Sequence, residues 1–453
     1  MAGASTVETH TSEATQTFSR DHRWNFLTLG GDIAFFTLAL NIASTYTIFP
    51  LFAAHLGADN TVIALIPAIR ALGVYAPQLL VASRVERLRR VKPMILTLTI
   101  GERVPALLTG VAALTLATSY RDWTLAIFLL MTLIPAFSSG LTFPAWYDLI
   151  GRAIPHSWMG RFLGVWMGVG GLLGALGSIA ATALIASYTF PLNFALCFLL
   201  AFAAYIVSFA LLALGREPER SIRQEHTSAQ DNPPSQQPGG IRATLAGQLA
   251  ILQGDRAFTR YLLANALGGI ATMASAIFAI AAAKQGGLSD AEVSVEGVVL
   301  VAAMTLGNVL WGFVGDHFGH RAPLIWGSVG AGLSAALALM AHGVWWYGLA
   351  FCLLGLSVSA TQLTQLTATG EFGEPERRAS YIALFSIAYA PFAIGAPLLG
   401  GWMADHWGYN LVFVTTAICG LLAAVAFTIW GPQTTPNVPL PSEGSEEALA
   451  PEL

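Results

Sequence analysis

The chain has 453 residues, of which 55% are hydrophobic and only 11% are charged, with a formal net charge of -4. Soluble domains carry charges on about a quarter of their residues, so this composition excludes an ordinary soluble protein and indicates lipid as the solvent. The basic residues are spread through loops without a cluster that could follow a phosphate backbone, which argues against a nucleic-acid partner. The three cysteines lie inside apolar runs without disulfide or metal-ligand spacing, so no metal and no cofactor is predicted.

The apolar residues fall in runs of about twenty, the length at which an α-helix crosses roughly 30 Å of hydrocarbon. In chain order the runs predict twelve spans: 24–52, 61–82, 93–117, 123–143, 162–186, 191–214, 258–283, 293–314, 323–341, 344–367, 381–403 and 411–430. We therefore predict an all-α membrane protein whose twelve transmembrane helices form two six-helix bundles, 24–214 and 256–430.

Three polar segments flank these bundles. Residues 1–23 form a polar tail, 215–255 contain SAQDNPPSQQPGG and indicate a flexible linker, and 431–453 are acidic and proline-bearing, which favours disorder. With both termini in the cytoplasm, the predicted outer loops hold only Arg121 and Lys284 among the basic residues. Because positively charged short loops stay inside, we predict a multi-pass protein of the cell's inner (plasma) membrane with both termini cytoplasmic.

Two loops at corresponding positions of the bundles are alike. ERLRRVKPMIL follows the second span and DHFGHRAPLIW follows the eighth. Aligning Pro93 with Pro323 pairs an acid with an acid and two arginines with histidines: Glu86 with Asp316, Arg87 with His317, and Arg90 with His320. Two halves with corresponding loops indicate one duplicated unit, a layout typical of transporters whose substrate site lies between the halves.

The loop Gly312-Phe-Val-Gly-Asp316-His-Phe-Gly319-His-Arg321 resembles the loop signature of the major facilitator superfamily, in which glycines, an acid and basic residues follow a fixed spacing. With the helix count, the central linker and the orientation, the resemblance covers nearly the whole chain and implies the major facilitator fold. Glycines let helix ends approach closely, and the acid can pair with the neighbouring bundle. We predict a conformational latch formed by Gly312, Gly315, Asp316, Gly319, Arg321, Glu86, Arg87 and Arg90. For the first-half copy, a plain charged topology anchor is the alternative.

Few ionisable residues lie inside the spans, where each costs a few kcal/mol. Asp32 and Arg70 lie on sequential antiparallel helices and are predicted to pair, either as a proton site that lets the halves rock or as a structural ion pair. Glu102 and Arg103 are adjacent and point about 100° apart, so we do not expect them to pair with each other. They are predicted to pack against the second helix or its loop. Glu296 is expected to be solvated near the outer start of the eighth span.

The resemblance implies that helices 1, 4, 7 and 10 line the substrate cavity. Their polar residues are the predicted contacts: Asn41, Thr45, Tyr46, Ser138, Thr142, Asn265, Gln362 and Gln365. Hydrogen bonding between helices is the alternative role for each of them. Hydroxyls, amides and aromatic rings with few charges suit a neutral or amphipathic organic solute.

The predicted function is therefore secondary active transport of a small organic solute by alternating access. A proton or ion gradient is the expected energy source because the sequence has no P-loop motif. The apolar cavity favours efflux over uptake by symport, and a non-transporting receptor or assembly protein of the same fold is the alternative. An enzyme is disfavoured since neither H-E-x-x-H nor G-x-S-x-G occurs. We expect a monomer. The fifth span carries a stripe of glycines that predicts close helix packing: Gly160, Gly164, Gly168, Gly170, Gly171, Gly174 and Gly177.

Overall fold

In the computed structural model of the chain, the residues described are 20–85, 88–218, 251–369, 372 and 378–432. Most of both predicted tails and of the linker therefore lie outside the described residues, as do Glu86 and Arg87. The described residues form fifteen α-helices: α1 Arg20–Ile42, α2 Ile48–His55, α3 Asn60–Val85, α4 Lys92–Leu98, α5 Ile100–Leu116, α6 Arg121–Ala153, α7 His156–Ser187, α8 Leu192–Leu214, α9 Arg256–Ile270, α10 Phe278–Lys284, α11 Asp290–Phe318, α12 Arg321–Met340, α13 Val344–Thr369, α14 Arg378–Trp407 and α15 Tyr409–Trp430.

Three of the twelve predicted spans are broken helices. The first span is divided into α1 and α2 by residues 43–47, the third into α4 and α5, and the seventh into α9 and α10 by residues 271–277. Among the described residues, ten helical runs are long and apolar enough to cross a membrane. The second and seventh spans are not among the ten, because the apolar stretch found in the second, Asn60–Val74, is short, and α9 and α10 are each short.

The two ends of the molecule differ in how the bundles meet. We call the end that carries Arg20, Leu214, Arg256 and Trp430 the linker face, and the opposite end the far face. In the far half, one continuous apolar cluster joins both bundles and includes Phe52 of the first and Phe278 of the second. In the linker half, two separate clusters form, one within each bundle. The bundles are therefore packed together at the far face and apart at the linker face.

The outer surface of the helices is apolar, as lipid requires. Large side chains such as Leu172, Met340 and Ile429 are exposed on it, although they would be buried in a soluble protein. Trp123 and Trp345 are exposed at the far-face ends of α6 and α13, where indole rings suit the lipid headgroup region.

Equivalent contacts stabilise the linker end of each bundle. Lys92 Nζ donates to the carbonyl oxygens of Ala213 (2.6 Å) and Gly215 (2.5 Å) at the C-terminus of α8. Arg321 Nε donates to the carbonyl oxygen of Phe427 (3.1 Å) near the C-terminus of α15. A cation at the negative end of the helix dipole satisfies carbonyl groups that the helix leaves unpaired.

Candidate transport site

A polar gate closes the far face between the bundles. Asp405, near the end of α14, accepts hydrogen bonds from the backbone N–H groups of Asn60 (3.0 Å) and Thr61 (2.9 Å). The side chains of the same two residues donate to it at 2.7 and 2.6 Å. A carboxylate of the second bundle thus caps the N-terminus of α3 in the first bundle, where the helix dipole favours negative charge.

Two further contacts extend this gate. His55 Nε2 lies 2.6 Å from Asp290 Oδ2, which joins the end of α2 to the start of α11. Gly297 packs so tightly on Thr47 that a Cβ at this glycine would lie 2.8 Å from the threonine Oγ1. The gate therefore joins α2, α3 and the loop before α2 to α11 and α14.

The linker half of the same interface is open. A Cβ at Gly171, midway along α7, would meet Thr305 of α11 at 2.4 Å, whereas Gly164 and Gly168 nearer the linker face have nothing within 4 Å. On α11 the side chain of Val309 is 72% exposed. At these residues the inner halves of α7 and α11 are therefore not in contact.

The predicted latch loop lies at the edge of this opening. Asp316 is exposed, and in the described part of the chain it forms no ion pair or hydrogen bond with the other bundle. Gly312 has open space around it, while Gly319 ends α11 with a φ of 80°, a conformation that favours glycine. Arg321 binds the end of α15 within its own bundle. Arg90 is exposed at the linker face, and its counterparts Glu86 and Arg87 lie outside the described residues.

A buried charged cluster lies inside the first bundle. Asp32 Oδ1 accepts hydrogen bonds from Ser208 Oγ (2.5 Å) and Arg103 Nη2 (3.4 Å), and Oδ2 accepts one from Trp146 Nε1 (3.3 Å). Arg103 also lies 3.6 Å from Glu102 Oε2. The three charged residues are only 4%, 3% and 8% exposed for Asp32, Arg103 and Glu102.

Two sequence predictions are wrong at this cluster. Asp32 pairs with Arg103 and not with Arg70, because α1 packs on α7 and α8, and Arg103 of α5 reaches it beside α8. Glu102 and Arg103 do form an ion pair, since the long arginine side chain folds back although the two Cα–Cβ bonds diverge. Arg103 packs on α1 and α8 rather than on the second helix, with its guanidinium over the rings of Phe36 and Phe209.

Glu102 lies between two cavities of the first bundle. One is lined by Arg70, Phe128 and Tyr205 among other residues, and the second by Asp32, Arg103 and Trp146. Ser139 lines both cavities as well, and Thr142 hydrogen-bonds to the Glu102 carboxyl group. The third span, which the resemblance implied would lie outside the cavity-lining set, thus contributes an acid to the cavities.

A polar site extends from Arg70 across to the second bundle. Tyr46 lies near both Arg70 and Tyr389 of α14. Tyr389 hydrogen-bonds to Gln365, whose Nε2 donates to Asn265 Oδ1 at 3.4 Å. We call these five residues the central polar site. No described residue forms a salt bridge or hydrogen bond with the half-buried Arg70 guanidinium.

The other predicted cavity residues are not part of the central polar site. Asn41 packs on Gly174 of α7, Ser138 faces Gly101 of α5, and Gln362 is exposed. Thr45 is half-buried in the break of the first span. Tyr389, Trp146, Ser208 and Asp405 were missed. The partners of Trp146, Ser208 and Asp405 are more than 100 positions away, so no sequence spacing relates them.

Comparison with known proteins agrees with this geometry. The sequence model of the Major Facilitator Superfamily matches residues 32–279 and 261–452, which together cover most of the chain. The chain belongs to the major facilitator superfamily. Over 132 residues it is 28% identical to the multidrug resistance protein MdtG of Klebsiella pneumoniae (strain 342). That stretch is 28% of this chain and 30% of the relative, so the match spans less than a third of the relative's length.

Solved transporters share the fold of this major facilitator protein at low sequence identity. The nucleoside transporter NupG is 12% identical with a TM-score of 0.65, covering 89% of this chain and 98% of its own. A bacterial homologue of the human lysosomal transporter Spinster, in an inward-facing and unoccupied conformation, is 15% identical with a TM-score of 0.62 and coverages of 91% and 97%. A D-xylose-proton symporter is 15% identical with a TM-score of 0.61 and coverages of 91% and 96%. The predicted twelve-helix, two-bundle fold of a multi-pass membrane transporter is confirmed.

Proposed function

We propose that this protein is a proton-coupled secondary transporter that exports an amphipathic organic solute across the cytoplasmic membrane. It works as a monomer by alternating access, with residues 24–214 and 256–430 as its two moving bundles. The observation that carries the proposal is the charge of the buried cluster formed by Asp32, Glu102 and Arg103.

Two carboxyl groups and one guanidinium cannot all be ionised there without a net buried charge. A buried ion without compensation costs several kcal/mol. Binding one proton makes the cluster neutral, and the two acids then share that proton as a coupled pair. Asp32 accepts three hydrogen bonds, which favour its ionised form, so Glu102 is the proposed proton acceptor. Glu102 also lines both cavities, which gives the proton a path to and from the cluster.

The distribution of basic residues supports the cytoplasm as the compartment at the linker face. Arg89, Arg90, Arg152, Arg161 and Arg216 all lie at that end of the first bundle, and basic residues near spans remain inside. The structure then corresponds to the inward-facing state. In the opposite state the far-face gate opens and the inner halves of α7 and α11 meet.

The central polar site is the proposed substrate site, because it lies between the bundles at the inner side of the gate. Its phenols, its amides and the guanidinium of Arg70, which has no salt-bridge or hydrogen-bond partner among the described residues, suit a solute with a polar, hydrogen-bond-accepting end. The aromatic residues around the neighbouring cavity suit an apolar body. Export as the direction is supported by the partial similarity to a multidrug resistance protein.

Transport in proteoliposomes tests this proposal. A ligand is first found by thermal shift, since a compound that binds the folded state raises its unfolding temperature. We expect the wild type to move that ligand against its gradient when a pH gradient is imposed. In Glu102→Gln the side chain at position 102 is always neutral. We therefore expect this variant to exchange ligand across the membrane but not to accumulate it in response to a pH gradient.

Glu217→Gln is the matched control, since this acid is buried at the linker face, outside the proposed proton path. It should keep gradient-driven transport. Accumulation by Glu102→Gln at the wild-type rate, or wild-type flux that ignores the pH gradient, would rule out proton coupling through the cluster. If the ligand instead accumulates in the direction in which protons move, the protein is a symporter that takes the ligand up and not an exporter.

A further inference from the structure

Glu296 in α11 is a second buried acid, remote from the first cluster. Its side chain is 1% exposed, and neither carboxyl oxygen has a hydrogen-bond partner within the described protein. The sequence-based expectation that this acid is solvated is therefore wrong. Asp32, by comparison, is just as buried but accepts three hydrogen bonds.

The packing around Glu296 explains its burial. Val293 and Leu300, one turn before and after it on α11, are fully buried, so this side of the helix faces the core. Gly348 of α13 lies directly against the carboxyl group, where a Cβ would be 3.2 Å from Oε2. A glycine at this position lets the backbone of α13 cover the acid. The neighbouring Tyr347 hydroxyl donates instead to Ala281 of α10 (3.5 Å).

The charged groups on the surrounding elements offer no compensation. On α11, Glu292 is exposed and its field adds negative potential at Glu296, while Asp290 binds His55. Lys284 at the end of α10 is exposed, as is His342, which contacts the Met340 carbonyl group after α12. The ionisable residues of α7 and α12 lie at the opposite, linker face: His156, Arg161 and Arg321. An ionised Glu296 would be an isolated negative charge in an apolar core, which is far costlier than the neutral acid.

The same turn of α11 belongs to the far-face gate. Gly297 packs on Thr47 of the first bundle, and the first residue of the helix, Asp290, contacts His55. Opening the gate removes the first bundle from this end of α11 and brings outside water to it. The carboxyl group can then exchange its proton with that water.

We propose that Glu296 is a proton-binding site of the second bundle, loaded from outside while the gate is open and held protonated while it is closed. Closure of the gate then requires a proton at this position, so outside pH controls how readily the inward-facing state forms. The site is separate from Asp32, Glu102 and Arg103 and stands even if the protein binds its ligand without transporting it.

Infrared spectroscopy tests the protonated state directly in the unmodified protein. With ¹³C-labelled glutamate, the carbonyl band of a protonated carboxyl group is measured in detergent at about pH 7. Subtracting the spectrum of Glu296→Gln from that of the wild type removes any band of Glu102, because Glu102 is present in both proteins. We expect the protonated band of Glu296 to remain in this difference spectrum. If the wild type shows no such band, the proposal fails whether or not any variant folds.

Gate closure is tested by the distance between spin labels on exposed far-face residues, introduced as Ser187→Cys and Lys284→Cys in a chain without its native cysteines. Raising the pH from about 6 to about 9 should shift the wild type several-fold toward the longer separation. Glu296→Gln should remain closed at every pH. Glu292→Gln, which alters an exposed acid one turn away, should respond like the wild type. An unchanged pH response in Glu296→Gln would overturn the proposal.

Discussion

At the residue scale, the buried guanidinium of Arg103 holds the first bundle together. It contacts Asp32, Glu102, Ser208 and the backbone of Tyr205. A single side chain thereby joins α1, α5 and α8. Replacing Arg103 by a neutral residue should therefore lower the free energy of unfolding more than the loss of any one hydrogen bond in the cluster.

Arg103→Gln leaves two buried carboxyl groups without a cation. Breaking a buried ion pair from one side costs about 3–5 kcal/mol, so we expect a large fall in the unfolding temperature. Ser208→Ala removes one hydrogen bond to the Asp32 carboxylate and should cost about 1.5–3 kcal/mol. Thermal unfolding in detergent, followed by tryptophan fluorescence, measures both. Equal destabilisation by the two substitutions would show that the guanidinium has no special role.

The residues of this cluster were predicted from sequence, but their pairing was not. Asp32 and Arg103 stand out because charge is rare in apolar runs. Which acid meets which base depends on helix neighbours in space, and sequential helices are not always the neighbours that matter: α1 lies against α7 and α8. The burial of Glu296 could not be predicted from sequence for the same reason, because the glycine that covers it is 52 positions away in α13.

At the element scale, the glycine stripe of α7 divides into two functional halves. Gly171, Gly174 and Gly177 meet neighbouring helices at distances that leave no room for a side chain. Gly160, Gly164 and Gly168 face open space. The second group therefore packs against no neighbouring helix in this conformation, and under the proposed mechanism we expect close packing there in the opposite state.

The substitutions Gly171→Val and Gly164→Val test the packed and the unpacked glycines of α7 separately. The first places carbon atoms against Thr305, and overpacking of this kind costs about 1–3 kcal/mol, so a lower unfolding temperature is expected. The second should leave the unfolding temperature unchanged but slow transport, because the inner halves of α7 and α11 can no longer meet. Melting temperature and initial transport rate are the measurements. A Gly164→Val variant that transports at the wild-type rate would contradict this division.

Hydropathy predicted where helices lie but not where they break. Residues 43–47 read ASTYT and residues 271–277 read ATMASAI, and both stretches lie inside longer runs that are apolar overall. The average hydropathy of those runs therefore predicts one continuous helix in each case. Their backbone groups turn instead, as in the bond from Phe49 N–H to the Ser44 carbonyl group (2.9 Å). Such irregular backbone is tolerated at membrane depth when it is enclosed by protein, and that enclosure depends on the whole bundle.

At the scale of the whole molecule, the proposed equilibrium between inward- and outward-facing states should depend strongly on the polar contacts of the far-face gate. Asp405 alone makes four hydrogen bonds from the second bundle to Asn60 and Thr61. The net stabilisation from one hydrogen bond to a charged group is about 1.5–3 kcal/mol. A free-energy difference of about 1.4 kcal/mol changes the ratio of two populations tenfold.

Asp405→Ala should therefore shift the population toward the outward-facing state by at least about tenfold. The measurement is the rate at which a membrane-impermeant maleimide labels Val309→Cys from the linker side, which should fall. Asp59→Ala is the control, because among the described residues the Asp59 side chain accepts a hydrogen bond only from Val62 N–H of its own bundle (2.7 Å). If both variants label at the same rate, Asp405 does not hold the gate.

The duplicated architecture was predictable from sequence, whereas the conformational state was not. Repeated loops and apolar runs are properties of each bundle alone and survive in any state. The state depends on which halves of the bundles touch, a small difference between two packings of the same helices. No residue pattern along the chain encodes that difference by itself.

The broken first and seventh spans have a consequence for ancestry. The alignment of Pro93 with Pro323 carries residues 43–47 onto 273–277, inside the second break. The two stretches read ASTYT and MASAI and share no identical position. The two halves therefore bend the corresponding span at the same position with different residues. A comparison of backbones would detect this repeat, whereas a comparison of residue identities at these positions would not.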